Sequence, residues 1–231
     1  YSTASFFLHK DGNRDSDYED AFALGSESGT DDRQSVRIAV ADGATEASFS
    51  AEWAKMLARS FRNRPFADLR DLQTRVEILS RRWQAVVSRR PLPWFALQKV
   101  ETGAFATLLG LEIFSETPEQ RSPSRWQAIA VGDSCLFQIR NNSLNLAFPI
   151  QHSSEFGNSP VLLSSNLGRN NPAWDQVKFE NGDWQSGDVL FLATDALAAW
   201  FIRECEKNEQ PWQQMMALGT STDKDSKAMA E

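Results

Sequence analysis

Three aspartates stand where apolar runs end. They lie in Ala41-Asp42-Gly43-Ala44, Val131-Gly132-Asp133-Ser134 and Ala193-Thr194-Asp195-Ala196. In each, an acidic residue ends or interrupts an apolar strand and small residues follow it. A carboxylate in such a place is costly unless it is paired, hydrogen-bonded or bound to a cation. A helix cap or a turn would explain any one of them alone. Three in one chain, with the acidic pair Glu19-Asp20 ahead of another apolar run, favour a shared cation site. Clustered carboxylates with backbone carbonyls suit Mg2+ or Mn2+. Two histidines, His9 and His152, do not make a multi-histidine zinc site.

Other chemistries fit less well. The stretch Asp11-Gly12-Asn13-Arg14-Asp15-Ser16-Asp17 begins like a calcium loop, but Ser16 holds its glycine position and Phe22 its final glutamate position. A cysteine-nucleophile phosphatase needs an arginine six residues after its cysteine. Here Asn141 follows Cys135 at that distance, and Pro211 follows Cys205. A Ser-His-Asp hydrolase would depend on His9 or His152, and the polar Gln151-His152-Ser153-Ser154 has no nucleophile elbow beside it. No glycine loop of the P-loop or dinucleotide type is present.

The elements that must carry these residues are legible from periodicity. Tyr1–Leu8 predicts a first strand, His9–Asp20 a polar stretch, Ala21–Gly25 a second strand and Thr30–Gln34 a turn. Val36, Ile38 and Val40 alternate with Arg37 and Ala39 and run straight into Asp42-Gly43. Phe49, Trp53, Met56, Leu57 and Phe61 then recur at helical spacing, predicting a helix over 48–62 with Ser48 or Ser50 as its cap. A second stripe runs from Phe66 to Val86, just after Pro65, and predicts a helix over 66–88. The two helices should pack side by side on one sheet and bury Trp53, Phe61, Leu72, Val76 and Trp83.

After Pro91 and Pro93 the pattern shortens to strands at Phe105–Phe114, Trp126–Gly132, Leu136–Arg140 and Ser143–Phe148. Asn141-Asn142 reads as a hairpin turn and Glu116–Arg125 as an exposed hairpin loop. Gln151–Asn171 reads as a long loop broken by Val161–Leu163. Val189–Ala193 reads as a buried strand, followed by a helix with Leu197, Trp200, Phe201 and Cys205. No internal repeat is present. Hairpin-spaced strands with grouped helices favour an α+β layered domain over a doubly wound parallel sheet.

Composition narrows the function classes. The chain has 231 residues, with 24 Lys+Arg against 31 Asp+Glu for a net charge of −7. An acidic chain is a poor general nucleic-acid binder, because phosphate neutralisation needs a basic face. With 41% hydrophobic residues, eight Trp and fifteen Phe, it has the material for a sizeable core. Two cysteines make no disulfide framework and suggest a reducing compartment. No apolar run reaches membrane-span length, and the first residues do not read as a signal peptide. The expectation is one soluble, cytoplasmic, monomeric domain over 1–231 that binds neither nucleic acid nor membrane.

At this point the chain resembles the type-2C metal-dependent Ser/Thr protein phosphatases, especially their compact bacterial members. The matching pieces, in the family's order, are Tyr18-Glu19-Asp20-Ala21-Phe22, Val40-Ala41-Asp42-Gly43, Gly103-Ala104-Phe105-Ala106-Thr107, Val131-Gly132-Asp133-Ser134 and Leu192-Ala193-Thr194-Asp195-Ala196-Leu197. The resemblance implies a four-layer sandwich of two antiparallel β-sheets flanked by α-helices, with a binuclear Mg2+/Mn2+ centre at one end. It implies that Asp42 bridges both ions, that the Gly43 carbonyl binds one and that Asp195 binds the other. Glu19 or Asp20 would hold metal-bound water, Asp20 being the closer match, and Asp133 with Asp195 would hold a third, weaker ion. Arg14 is the implied phosphate-holding residue, one position further upstream than the family places it. Phospho-Ser or phospho-Thr in a phosphoprotein would be hydrolysed by a water bridging the two ions, opposite a partner Ser/Thr kinase.

The sequence also departs from the family. Gly43-Ala44-Thr45-Glu46 lacks the usual pair of glycines, and Ala44 stands where some members have histidine. The family's closing strand, opened by an Asn-Asp or Asp-Asp pair, has no apolar counterpart after Asp223 and Asp225, so the expectation is a domain lacking that strand. The alternative function is a catalytically weak domain of the same fold that binds a phosphoprotein and serves regulation.

Overall fold

Ala39 and Ala41 are completely buried, and their small side chains let a helix lie directly on the sheet. The computed structural model describes residues 2–5, 19–28, 34–44, 49–91, 100–115, 124–157 and 159–218. In it β1 (Ala21–Ser28) pairs antiparallel with β2 (Gln34–Ala41). Helix α1 (Ser50–Asn63) follows and packs on both strands, and α2 (Leu69–Val87) packs along α1. The short β3 (Phe105–Ala106) leads into β4 (Leu108–Ser115), beside β2 in the same sheet. Gly110 of β4 makes room for the Phe61 ring, where a Cβ would lie 2.5 Å from the ring carbons.

The chain continues through β5 (Arg125–Val131), β6 (Cys135–Arg140) and β7 (Ser143–Phe148). Asn141 and Asn142 join β6 to β7 with φ of 51° and 57°, the left-handed pair that a two-residue hairpin turn of this hand requires. Next come β8 (Leu163–Ser164), a one-turn helix α3 (Asn171–Trp174), β9 (Lys178–Asp183), β10 (Val189–Ala193), α4 (Asp195–Glu206) and a helix α5 over 211–218.

All pairings are antiparallel. A five-stranded sheet has the order β1-β2-β4-β5-β9, a three-stranded sheet the order β10-β6-β7, and β3 pairs with β8. Three apolar clusters give the layers. One joins α1 and α2 to the outer face of the five-stranded sheet, through Trp53, Leu57, Phe61, Leu72, Val76 and Trp83. A second lies between the sheets, where Leu109, Leu111, Ile113 and Trp126 meet Leu136 and Phe148. The third joins the three-stranded sheet to α4 and α5, with the Phe137 and Phe201 rings stacked at 4.1 Å. The result is the expected four-layer sandwich.

Several expectations are corrected. Residues 2–5 form no strand and are exposed, while Tyr1 and residues 6–8 lie outside the described residues. The turn expected at Thr30–Gln34 also falls largely outside them, as does most of the Glu116–Arg125 loop. Ser50 does not cap α1: Phe49 holds the N-cap position with φ 65° and makes no side-chain cap, Ser50 is the first helical residue, and Ser48 lies outside the described residues. The second helix starts after Asp68, whose side chain accepts the Asp71 N–H, and not just after Pro65. Val189–Ala193 is half-buried except at Ala193, because β10 is an edge strand. Phe105–Phe114 is two strands, broken at Thr107. Among the described residues, no helix is long and apolar enough to cross a membrane.

Candidate metal centre

Strand β2 ends by delivering Asp42 and Gly43 to one end of the sandwich. Gly43 pairs with Ala106 in an isolated antiparallel bridge. The bonds flanking that pair run from Thr107 N–H to the Asp42 carbonyl at 2.8 Å and from Ala44 N–H to the Phe105 carbonyl at 2.9 Å. In such a ladder the residue between the two bonds turns its own peptide groups away from the partner strand, so the Gly43 carbonyl is not used by β3. A Cβ at Gly43 would lie 2.8 Å from the Glu19 carbonyl oxygen and 3.0 Å from the Ser50 carbonyl carbon. Glycine is therefore required there by close approach. It draws Glu19, Asp42 and the start of α1 together, and the Ser50 hydroxyl donates to Glu19 Oε1 at 3.0 Å.

Asp20 arrives from the opposite direction, just before β1. Thr194 occupies the N-cap of α4 but makes no side-chain cap. Its hydroxyl donates instead to Asp20 Oδ2 at 3.3 Å. Asp195 opens α4, and its Oδ1 accepts the Ala196 N–H at 2.6 Å. Asp133 sits in the turn between β5 and β6, where Gly132 takes φ 99°. Asp133 is 7% exposed, and its buried Oδ1 has no hydrogen-bond partner among the described residues.

These carboxylates act on one another. Burial, above all, pushes Asp42 up to about 8, and the charge of Asp20, a hydrogen bond with Asp20, and the charges of Asp195 and Asp133 push the same way. Asp133 is also raised, by burial first and by the Asp195 charge. Two carboxyls in hydrogen-bond contact must share a proton, or a cation must take its place.

Asp20 is thus in hydrogen-bond contact with Asp42; Asp195 and Asp133 lie near enough for their charges to reach Asp42, and Gly43 and Glu19 lie alongside. The donor set is all oxygen, which fits a hard divalent ion. Among the described residues no three His, Cys, Asp or Glu side chains converge on one point. The arrangement is a group of mutually repelling carboxylates and not a closed coordination shell. Arg14, Asp223 and Asp225 lie outside the described residues. Sequence reasoning read Ser50 only as a candidate helix cap and gave no role to Thr107, Ser134 or Thr194, the hydroxyl residues that bond to the carboxylate-bearing segments. Their only signal was that three of them lie inside the short motifs around Thr107, Asp133 and Asp195.

A family model described as Protein phosphatase 2C matches residues 13–231. Among solved structures, the chain is similar to a bacterial serine phosphatase, with 11% identity over 79% of this chain and 74% of that one and a TM-score of 0.50. It is also similar to RsbX in complex with magnesium, with 19% identity, 81% and 70% coverage and a TM-score of 0.43. The photosystem II phosphatase PBCP matches with 16% identity, 75% coverage of this chain and a TM-score of 0.39, and the chain spans 58% of its length. No curated protein sequence matches the chain.

Proposed function

The chain belongs to the protein phosphatase 2C family, and we propose that it is a Mg2+- or Mn2+-dependent hydrolase of phosphoserine and phosphothreonine in proteins. The observation that carries this reading is the gathering of Asp20, Asp133 and Asp195 around a half-buried Asp42 whose carboxyl they all push toward protonation. A partly desolvated site whose charges on Asp42, among the described residues, are all negative is suited to divalent cations.

In this reading Asp42 would hold both ions, Gly43 would offer its carbonyl to one and Asp195 its carboxylate to the other. Asp20, steadied by Thr194, holds water in the site, and Glu19 is steadied by Ser50 beside it. Asp133 and Asp195 together serve a third, weaker ion. When bound, the ions would neutralise the phosphoryl oxygens and make water acidic enough to attack phosphorus in line. The hydrogen bond that Asp42 shares with Asp20 in the protein alone would give way to the ions, and the proton that such a water gives up would pass to solvent. Arg14 is assigned to the phosphate, and the substrates are the phosphoprotein products of a Ser/Thr kinase.

The test is hydrolysis of an aryl phosphate and of a phosphothreonine peptide, with and without Mn2+, by the wild type and by Asp195→Asn. Mn2+-dependent turnover that Asp195→Asn abolishes is the expected result. Turnover that survives EDTA, or none at any Mn2+ concentration, would sink the reading.

A further inference from the structure

Thr107 holds two of the carboxylate-bearing loops at once. Its backbone N–H donates to the Asp42 carbonyl at 2.8 Å, and its Oγ1 accepts the Asp42 N–H at 2.8 Å. One residue therefore satisfies both backbone groups of Asp42. The same Oγ1 lies 2.8 Å from Ser134 Oγ, and both side chains are buried, at 2% and 1% exposure. Thr107 Oγ1 accepts from Asp42 and keeps both a proton and a second lone pair for Ser134, so either hydroxyl can donate in that contact. The methyl group of Thr107 completes the contact: a Cβ on Gly132 would lie 2.7 Å from Thr107 Cγ2. Gly132, Asp133 and Ser134 form the turn that presents Asp133, whose buried Oδ1 has no partner among the described residues.

From this geometry we infer that Thr107 is a positioning residue that fixes the Asp42 loop against the Asp133 turn, and so sets the spacing of the carboxylates that bind divalent cations. The inference rests on the metal-dependent reading above. Buried hydrogen bonds between neutral hydroxyls and backbone amides are directional, so losing the Thr107 hydroxyl frees Asp42 to shift relative to Asp133. Residues that orient metal ligands in this way affect metal affinity by about 10- to 100-fold when removed. Thr107→Val keeps the shape and the methyl contact but deletes the hydroxyl. Thr107→Ser keeps the hydroxyl and deletes the methyl. Ser134→Ala removes the hydrogen-bond partner at the far end.

The experiment is a calorimetric titration of metal-stripped protein with Mn2+, with thermal melting of the same samples. Val76→Ala, in the buried face of α2, serves as a destabilised control remote from the carboxylates. Thr107→Val should weaken Mn2+ binding by about tenfold or more. Thr107→Ser should stay within about threefold of wild type, and Val76→Ala should bind as wild type despite a lower melting temperature. Thr107→Val that melts lower but binds Mn2+ as tightly as wild type would overturn the inference and leave the phosphatase reading standing. A wild type that takes up no Mn2+ would overturn both. If Thr107→Val does not fold, Ser134→Ala decides: about tenfold weaker binding supports the inference, and unchanged binding overturns it.

Discussion

Strand β10 has an aspartate at each end, and the two are treated in opposite ways. Asp188, ahead of Val189, is gripped by Arg140, whose Nε donates to Oδ1 at 2.9 Å and whose Nη2 donates to Oδ2 at 2.7 Å. Gln138 and the Gln185 N–H add bonds of 2.8 and 3.0 Å. The Arg140 bond, first among these, holds the Asp188 carboxyl below its ordinary range. Asp195, after Ala193, joins a group in which the charges acting on Asp42 among the described residues are all negative. The fold supplies its own cation where a carboxylate is structural. At the other end the described residues set carboxylate against carboxylate, a repulsion that a shared proton or a divalent cation can relieve.

The largest effect that would break this contrast is on turnover. Asp42→Asn should cut Mn2+-dependent hydrolysis about a thousandfold, or roughly 4 kcal/mol of barrier. Metal-free, the same variant should be as stable as wild type or more stable by roughly 1 kcal/mol, since it removes one of several like charges. Chemical denaturation beside a steady-state assay reads both. A variant that loses stability and keeps its turnover would mean that Asp42 is a structural residue after all.

Asp188→Asn should do the reverse. Its side chain is 2% exposed and paired to an arginine, so the change leaves the Arg140 guanidinium short of its partner. The expected loss is about 2–4 kcal/mol of stability, with the turnover of the remaining folded protein intact. An urea midpoint equal to wild type would show that Arg140 finds full compensation in Asp183, to which it is also paired at 3.2 Å.

How much of this contrast the sequence carried depends on how local each feature is. Val36, Ile38 and Val40 leading into Asp42 are local, and so are the helical stripes and the Asn141-Asn142 turn; these were legible. Lys178–Asp183 was not, because β9 is an edge strand in which Lys178, Phe179, Asn181 and Asp183 are exposed, and its polar residues carry no strand signal. Helix α5 was missed as well, since only Trp212 and Met215 mark its apolar side. The Arg140–Asp188 pair joins residues 48 apart and needs the β6–β10 register, which no short pattern reveals. The four aspartates of the candidate site were visible only as strand ends and by family resemblance. That Thr194 would turn from capping α4 to bind Asp20 depends on tertiary approach alone.

Metal addition sharpens the comparison from the other side. Mn2+ at about a hundred times its dissociation constant should stabilise the wild type by about 2.7 kcal/mol. Asp188→Asn should show the same increment from a lower start, and Asp42→Asn little or none. Melting with Mn2+ and with EDTA measures it. An equal increment in all three proteins would place the ion away from Asp42.

The smallest effect is a pair of opposed pH slopes in the metal-free protein. Asp42 has a folded-state value of about 8 against an ordinary 3.8. It takes up its proton more readily folded than unfolded. Its contribution to stability is therefore complete below about pH 4 and is lost as pH rises through about 8. With partial exposure allowed for, that loss should be on the order of 1–2 kcal/mol. Asp188 is shifted down, so its contribution is present above about pH 4, its unfolded value, and fades as pH falls further. Metal-free wild type should thus lose stability as pH falls below about 4 and as it rises from about 4 to about 8. Asp42→Asn should flatten the slope between about pH 4 and 8 only, and Asp188→Asn the acid slope only. Urea midpoints measured in EDTA from about pH 3 to about pH 9 would test this, and a falling slope between about pH 4 and 8 that persists in Asp42→Asn would assign it to another group.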